Sequence, residues 1–140
     1  MHFLSNLITS LSNANSAKLN SISFKISTKN EFNYIFQILK ILQKEGRIRG
    51  FTFNHIKAAQ FKTKSAEFII YLKYNERGLN VIKSIFLVSK TSRPVYRKTK
   101  SFWQPQITSG FFLISTKYGI RTDFRARHFN LGGYVLFGIT

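Results

Sequence analysis

The chain has no cysteine, which removes disulfide frameworks, thiolate metal sites, iron–sulfur ligation and thiol nucleophiles from consideration. Acid is nearly as scarce, with five Asp plus Glu in 140 residues. They stand apart as Glu31, Glu45, Glu67, Glu76 and Asp123, so no loop carries the paired carboxylates of a general acid and base or of a two-magnesium site. His2, His55 and His128 are equally dispersed and fit neither a zinc-protease motif nor a triad. A glycine-rich loop of the nucleoside-triphosphate type is missing as well. No catalysis, metal, cofactor or small-molecule substrate is therefore expected. No apolar run reaches the roughly 18 residues of a membrane span. Lys40, Lys44, Lys73 and Lys83 break every candidate, and no membrane span is expected. The opening MHFLSNLITSLSN resembles neither a secretory signal nor an Arg-rich transit peptide.

What the chain does have is cation. Its 22 Lys plus Arg give a formal net charge of +17, and such a compact state repels itself unless a polyanion neutralises it. Nucleic acid is the expected partner, ahead of an anionic membrane surface; a merely soluble basic domain is the bland alternative. The length allows one ordinary domain or two small ones and leaves little room for a large enclosed active site. Phe, Ile, Lys, Asn and Tyr are used heavily, as adenine- and thymine-rich codons dictate, so part of the 16% aromatic content reports the genome.

Periodicity predicts an α+β fold of two small subdomains: an N-terminal α-β-α-β-β unit over 1–75 and a mainly β C-terminal unit with one short helix over 76–140. Phe3, Leu4, Leu7, Ile8 and Leu11 have helical spacing, and the Asn- and Ser-rich stretch 12–16 is expected to end that helix. Over 19–26, Ile22, Phe24 and Ile26 alternate with Ser21, Ser23 and Lys25, the pattern of a half-buried strand. Thr28 and Glu31 form a capping box ahead of Phe32, Ile35, Phe36, Leu39 and Leu42, with Gly46 placed to stop the second helix. Segments 47–54 and 68–72 read as strands joined by a basic loop holding Lys57, Lys62 and Lys64. The turn-prone Asn75, Glu76, Arg77 and Gly78 mark the boundary. Beyond it come a strand at 80–88, an extended basic segment at 90–100, an apolar strand at 111–114 and a closing strand at 134–139.

Two segments of the second half carry the partner chemistry. Lys90, Arg93, Arg97, Lys98 and Lys100 surround Val95 and Tyr96 on what reads as an edge strand, since Pro94 cannot donate a ladder bond. Such an edge suits phosphates, and the competing reading is that its charges only block edge-to-edge aggregation. The run STKYGIRTDFRARHFNLGG at 115–133 combines hydroxyls, glycines and cations. Ser115 and Thr116 close a strand and Gly119 permits a sharp turn. Thr122 and Asp123 can cap a helix carrying Arg125, Arg127 and His128 before Gly132 and Gly133 end it, and Arg121, Arg125 and His128 recur at helical spacing on one face. Hydroxyl donors and free amides there fit sugar and phosphate oxygens; the plainer reading is a generic turn and capped helix.

In their order, these residues resemble the family of the eighth protein of the bacterial-type small ribosomal subunit, found also in organelles, and the likeness runs nearly end to end. The family's Ser-Thr-x-x-Gly loop, Thr-Asp, Ala-x-Arg-like helix and Gly-Gly are similar to Ser115, Thr116, Gly119, Thr122, Asp123, Ala126 with Arg127, and Gly132 with Gly133. Ser89 to Tyr96 resemble its upstream Ser-Lys/Arg-Pro-Gly-x-x-x-Tyr segment. Thr9, Leu11 and Asn13 resemble its first-helix pattern, and LQKEGRI at 42–48 resembles the end of its second helix. Tyr134 replaces the family's Glu after Gly-Gly, Thr91 and Ser92 replace Pro and Gly, and Ser10 and Ser12 replace basic residues. The resemblance implies a structural, non-catalytic protein that binds a helix in the central domain of small-subunit ribosomal RNA, beside neighbouring ribosomal proteins, and supports subunit assembly and translation. It implies a grip on that RNA by the Ser115 and Thr116 loop and by Tyr134 after Gly-Gly; together with the basic segment, the expected RNA contacts are Ser115, Thr116, Gly119, Gly132, Gly133 and Tyr134, Lys90, Arg93, Tyr96, Arg97 and Lys98, and Thr9 and Asn13. Lys117, Tyr118 and Arg121 add bulk or charge at the same place, and Lys117, Arg121 and Arg125 are further expected RNA contacts.

Because the resemblance begins near the first residue, no cleavable presequence is expected. With the codon bias, this points to an organelle-encoded protein of the mitochondrial ribosome; a plastid or the bacterial cytoplasm is the alternative. In function, the competing reading is a free-standing RNA-binding regulator of translation.

Overall fold

A computed structural model describes residues 2–57, 64–103 and 109–140. Two compact units divide the chain, one over Phe3–Val81 and one made chiefly of Ile82–Thr140. The expected break at 75–78 is a tight turn in which Gly78 N–H donates to Asn75 O (2.8 Å), followed by a Tyr74↔Asn80 bridge, and the units part just beyond it.

The first unit runs α1 (His2–Ser16), β1 (Ser21–Ile26), α2 (Lys29–Lys44), β2 (Ile48–Lys57) and β3 (Lys64–Leu72), with the antiparallel order β1-β3-β2. The register sets Phe24, Phe68 and Phe53 in one row and Ile22, Ile70 and Phe51 in the next. Ser23, Ile69 and Thr52 share a row between these, as do Lys25, Glu67 and Asn54, so side chains alternate between an apolar and a mostly polar face. α2 covers the apolar face through Phe32 and Phe36: Phe32 stacks on Phe68 at 4.9 Å and Phe36 meets Phe51 edge-on at 5.6 Å. Thr28 caps that helix by accepting from Glu31 N–H at 3.4 Å, and Gly46 follows it with φ +71°, as the sequence pattern predicted.

Two expectations in this unit are corrected. α1 does not stop before the Asn/Ser stretch but continues through it, because Ala14 and Asn15 prolong the buried stripe of Leu4, Leu7, Ile8 and Leu11. Tertiary burial outweighs weak helix propensity there; Lys18, at φ 54°, turns the chain out. Lys57 and Lys64 are not loop residues: they pair directly as the last rung of the β2–β3 ladder, next to the Ile56↔Ser65 pair. Lys62 lies outside the described residues.

The second unit contains β4 (Ile85–Leu87), β5 (Tyr96–Arg97), a 3₁₀ turn (Thr99–Trp103), β6 (Phe111–Thr116), β7 (Gly119–Thr122), α3 (Asp123–His128) and β8 (Gly133–Ile139). The sheet order is β4-β8-β6-β7, with β5 also paired to β8. β8 is therefore central, and every residue in it except Tyr134 is buried. α3 closes one side through Ala126, which packs in a core with Phe102, Phe112, Ile114 and Val135.

The predicted strand at 80–88 shortens to three residues: the Asn80 amide is drawn to Asn15 O (2.9 Å), and Lys83 and Ser84 donate to Thr140 O instead of a ladder. The basic segment is likewise not one extended strand. Lys90 and Arg93 exchange backbone hydrogen bonds in a turn, two residues pair as β5, and the 3₁₀ turn follows. β7 was not expected: Gly119, at φ +101°, returns the chain so sharply that residues 119–122 pair with β6 at once. Arg121 is consequently a strand residue and does not share a helical face with Arg125 and His128.

Candidate nucleic-acid interface

At one end of the second sheet, β5, β8 and β6 place three residues in a cross-strand row. Tyr96 pairs with Tyr134, and Tyr134 with Ser115. The two tyrosines meet edge to face at 5.2 Å, yet each keeps about half its surface in water, 56% and 47%. Around this row lies an open cleft of about 540 Å³ lined by Tyr96, Ser115, Thr116, Lys117, Asn130, Leu131 and Gly132 to Tyr134. No acid lines it.

The cleft is shaped by hydroxyls and bare backbone. Thr116 Oγ1 donates to Gly119 O (2.8 Å) and accepts from Tyr118 N–H (3.3 Å), which holds the β6–β7 turn. The half-buried Ser115 hydroxyl has no such bond among the described residues and remains available to a ligand. Behind the cleft, buried Ser89 donates from Oγ to Val135 O and accepts from Val95 N–H at 3.0 Å. One hydroxyl thus fastens the segment before Tyr96 to β8 where Pro94 supplies no donor.

Gly132 and Gly133 do not end α3, as the sequence suggested. Asn130 does, at φ 52°, where Asn is among the residues that tolerate a left-handed backbone; Leu131 N–H then donates to Ala126 O at 2.8 Å. Close approach calls for glycine here instead, and it is obligatory at Gly133, where the obstacle is backbone. A Cβ on Gly132 would lie 2.8 Å from the Tyr96 hydroxyl, and one on Gly133 would strike Ser115 O and sit 2.8 Å from Ile114 Cγ2. Gly133→Ala is expected to cost about 3 kcal/mol, the upper end for overpacking a site whose obstacle is backbone. It should also weaken any ligand of the cleft, because β6 must shift. Thermal melting and binding titration check both effects.

The remaining predicted residues are distributed unevenly. Lys90, Arg93 and Lys98 are exposed, but Arg97 is half-buried with its guanidinium 5.7 Å from the Phe112 ring centre, so it packs rather than extends. Lys117 Nζ lies 4.8 Å over Tyr118 at the cleft rim. Arg121 sits over Phe129 at 4.9 Å and Arg125 is exposed on α3, both outside the lining. Thr9 and Asn13 are exposed one turn apart on α1 in the other unit. Asn130 and Leu131 were missed; an Asn two residues beyond a basic helix end was the available signal.

Asp123 begins α3, and its carboxylate stands 3.7 Å from the Arg127 guanidinium. Burial pushes its pKa above the ordinary carboxylate range, while Arg127 and nearby backbone amides pull the other way. Thr122 occupies the N-cap without a side-chain capping bond, contrary to the expected cap. Among the described residues no group of three or more His, Cys, Asp or Glu could hold a metal, and no helix is long and apolar enough to cross a membrane.

A fold and cleft of this kind invite comparison with ribosomal proteins. The family Ribosomal protein S8 matches residues 2–139, and the chain belongs to that family. It is similar to the small ribosomal subunit protein uS8 of Agrobacterium fabrum, 36% identical over 133 residues, covering 95% of this chain and 92% of the relative. The corresponding proteins of Brucella ovis, at 36%, and Sinorhizobium medicae, at 35%, match over the same shares.

Proposed function

We propose that the chain is a structural protein of the small ribosomal subunit that binds a helix in the central domain of small-subunit ribosomal RNA and supports assembly beside neighbouring ribosomal proteins. The unit over Ile82–Thr140, within the expected C-terminal subdomain 76–140, is its RNA-gripping part, and no catalysis or cofactor enters this reading. The carrying observation is the convergence of Ser115, Thr116, Lys117, Gly132, Gly133, Tyr134 and Tyr96 on one open cleft without an acid. Bare glycine backbone admits a sugar-phosphate strand closely, hydroxyls address ribose and phosphate oxygens, and the tyrosines offer faces to an irregular, partly unstacked site. Lys90, Arg93 and Lys98 supply phosphate attraction from the adjoining segment, with Gly119, Arg121, Arg125 and Arg97 as supports, and Thr9 and Asn13 as contacts from α1.

Footprinting of small-subunit ribosomal RNA with the full chain tests this. Protection of a helix in the central domain is expected. Ser115→Ala with Thr116→Val should weaken it about tenfold, the worth of one or two hydrogen bonds to charged or polar oxygens. Absent protection, or protection indifferent to these changes and to Arg93→Gln, would sink the reading.

We place the protein in a mitochondrial ribosome. The codon-driven excess of Phe, Ile, Lys, Asn and Tyr supports this, beside only 36% identity to the bacterial relative from Agrobacterium fabrum. Gradient sedimentation of an organelle lysate should put the protein with small subunits; its presence only in plastids or bacterial cytoplasm would refute the compartment.

A further inference from the structure

Outside the cleft, α3 carries a second unusual surface. Phe124 and Phe129 are 58% and 56% exposed, although each has an arginine laid against it. Arg127 lies 4.6 Å over the Phe124 ring and Arg121 4.9 Å over Phe129. His128 follows Phe124 by one helical turn and meets Phe129 edge-on at 5.1 Å. These residues make up an aromatic ridge along α3 and its C-terminal cap, with Phe124 under Arg127 at its start, the touching His128 and Phe129 with Arg121 at its end, and exposed Arg125 on the same helix. Asp123 is the only acid in this helix; it and Arg127, whose side chains are 14% and 20% exposed, face each other, so the accessible cations of the ridge are Arg121 and Arg125.

We infer that this ridge is a second RNA-contact surface, on which unpaired bases stack against Phe124, His128 and Phe129 while Arg121 and Arg125 hold the flanking phosphates. The inference rests on the reading of the chain as an RNA-binding protein. An arginine stem often shields a ring from water. Here more than half of each phenylalanine stays wet, so shielding alone leaves the surface unexplained. Rings alternating with guanidinium planes match the demands of splayed-out bases, since every base has a π-face and every nucleotide an anion. An acidic protein surface would satisfy the cations but not the two flat faces.

The full chain is titrated with a short single-stranded oligoribonucleotide carrying one 2-aminopurine, and with a blunt RNA duplex of the same length. The wild-type chain should quench the 2-aminopurine. Phe124→Leu with Phe129→Leu should lose the quenching and about tenfold or more in single-strand affinity, the scale of one or two base–aromatic stacks, with duplex affinity unchanged. Phe124→Tyr with Phe129→Tyr should restore both, which excludes a folding defect as the cause. Equal affinity in wild type and leucine variant, or equal losses for single strand and duplex, would overturn the inference. So would a leucine variant that binds RNA normally but detaches a neighbouring protein from the particle, since the surface would then face protein. Loss of the central-domain footprint by the Ser115 and Thr116 variants separates the cleft from the ridge: either can fail while the other stands.

Discussion

Raising monovalent salt from about 50 to about 200 mM is expected to weaken the complex of this chain with its ribosomal RNA roughly a thousandfold, as about six phosphate contacts imply. Each cation that displaces a condensed counterion adds about 0.9 to the logarithmic salt slope. The exposed Lys90, Arg93, Lys98, Lys117 and Arg125, with half-buried Arg121, provide such contacts in the second unit. Five acids in the whole chain leave little competition for them, and Asp123 is already directed at Arg127. Arg93→Gln should lower the slope by about one while weakening binding to all RNA sequences alike, whereas Arg97→Gln should act through lost packing on Phe112. Dissociation constants measured across a salt series decide this. A nearly flat dependence would contradict the phosphate role of these residues.

Phe68→Ala should destabilise the protein by about 4 kcal/mol, within the range for deleting a fully buried phenylalanine. Phe68 is fully buried and touches Phe32, Phe51 and Phe53 at centroid distances of 4.9, 6.1 and 5.9 Å. Removing its ring leaves a void between α2 and the sheet that neighbouring rings, locked in edge-to-face contacts, cannot fill. Phe68→Leu should cost far less, because it keeps most of the volume. Denaturant melts in enough salt to screen the +17 charge check the difference, and equal stability of the alanine and wild-type chains would show that the cluster does not hold the unit together.

Much of this fold was legible locally. The alternation of Ile22, Phe24 and Ile26 and the capping pair Thr28 and Glu31 are properties of a few consecutive residues, and both stand as predicted. Failures arose where a distant partner decided the outcome. The 12–16 stretch is helical because Ala14 and Asn15 are buried; the 80–84 stretch is not a strand because Asn80 bonds to Asn15; residues 119–122 form a strand because β6 lies beside them. At the site, Ser115, Thr116 and Tyr134 were recognisable from their order in the chain. Arg97 looked like its exposed neighbours until Phe112 was placed under it.

The sequence by itself determined the class of partner, the helices and most strands, and the family motifs, because charge and periodicities of 2 and 3.6 are written in consecutive residues. Only the tertiary structure decided that Tyr96, Tyr134 and Ser115 form one row, that Gly133 must be bare against Ser115, and that Arg121 belongs with Phe129. Those facts depend on strand register, in which a slip of one residue sends every side chain to the opposite face, and register is set by packing between segments far apart in the chain.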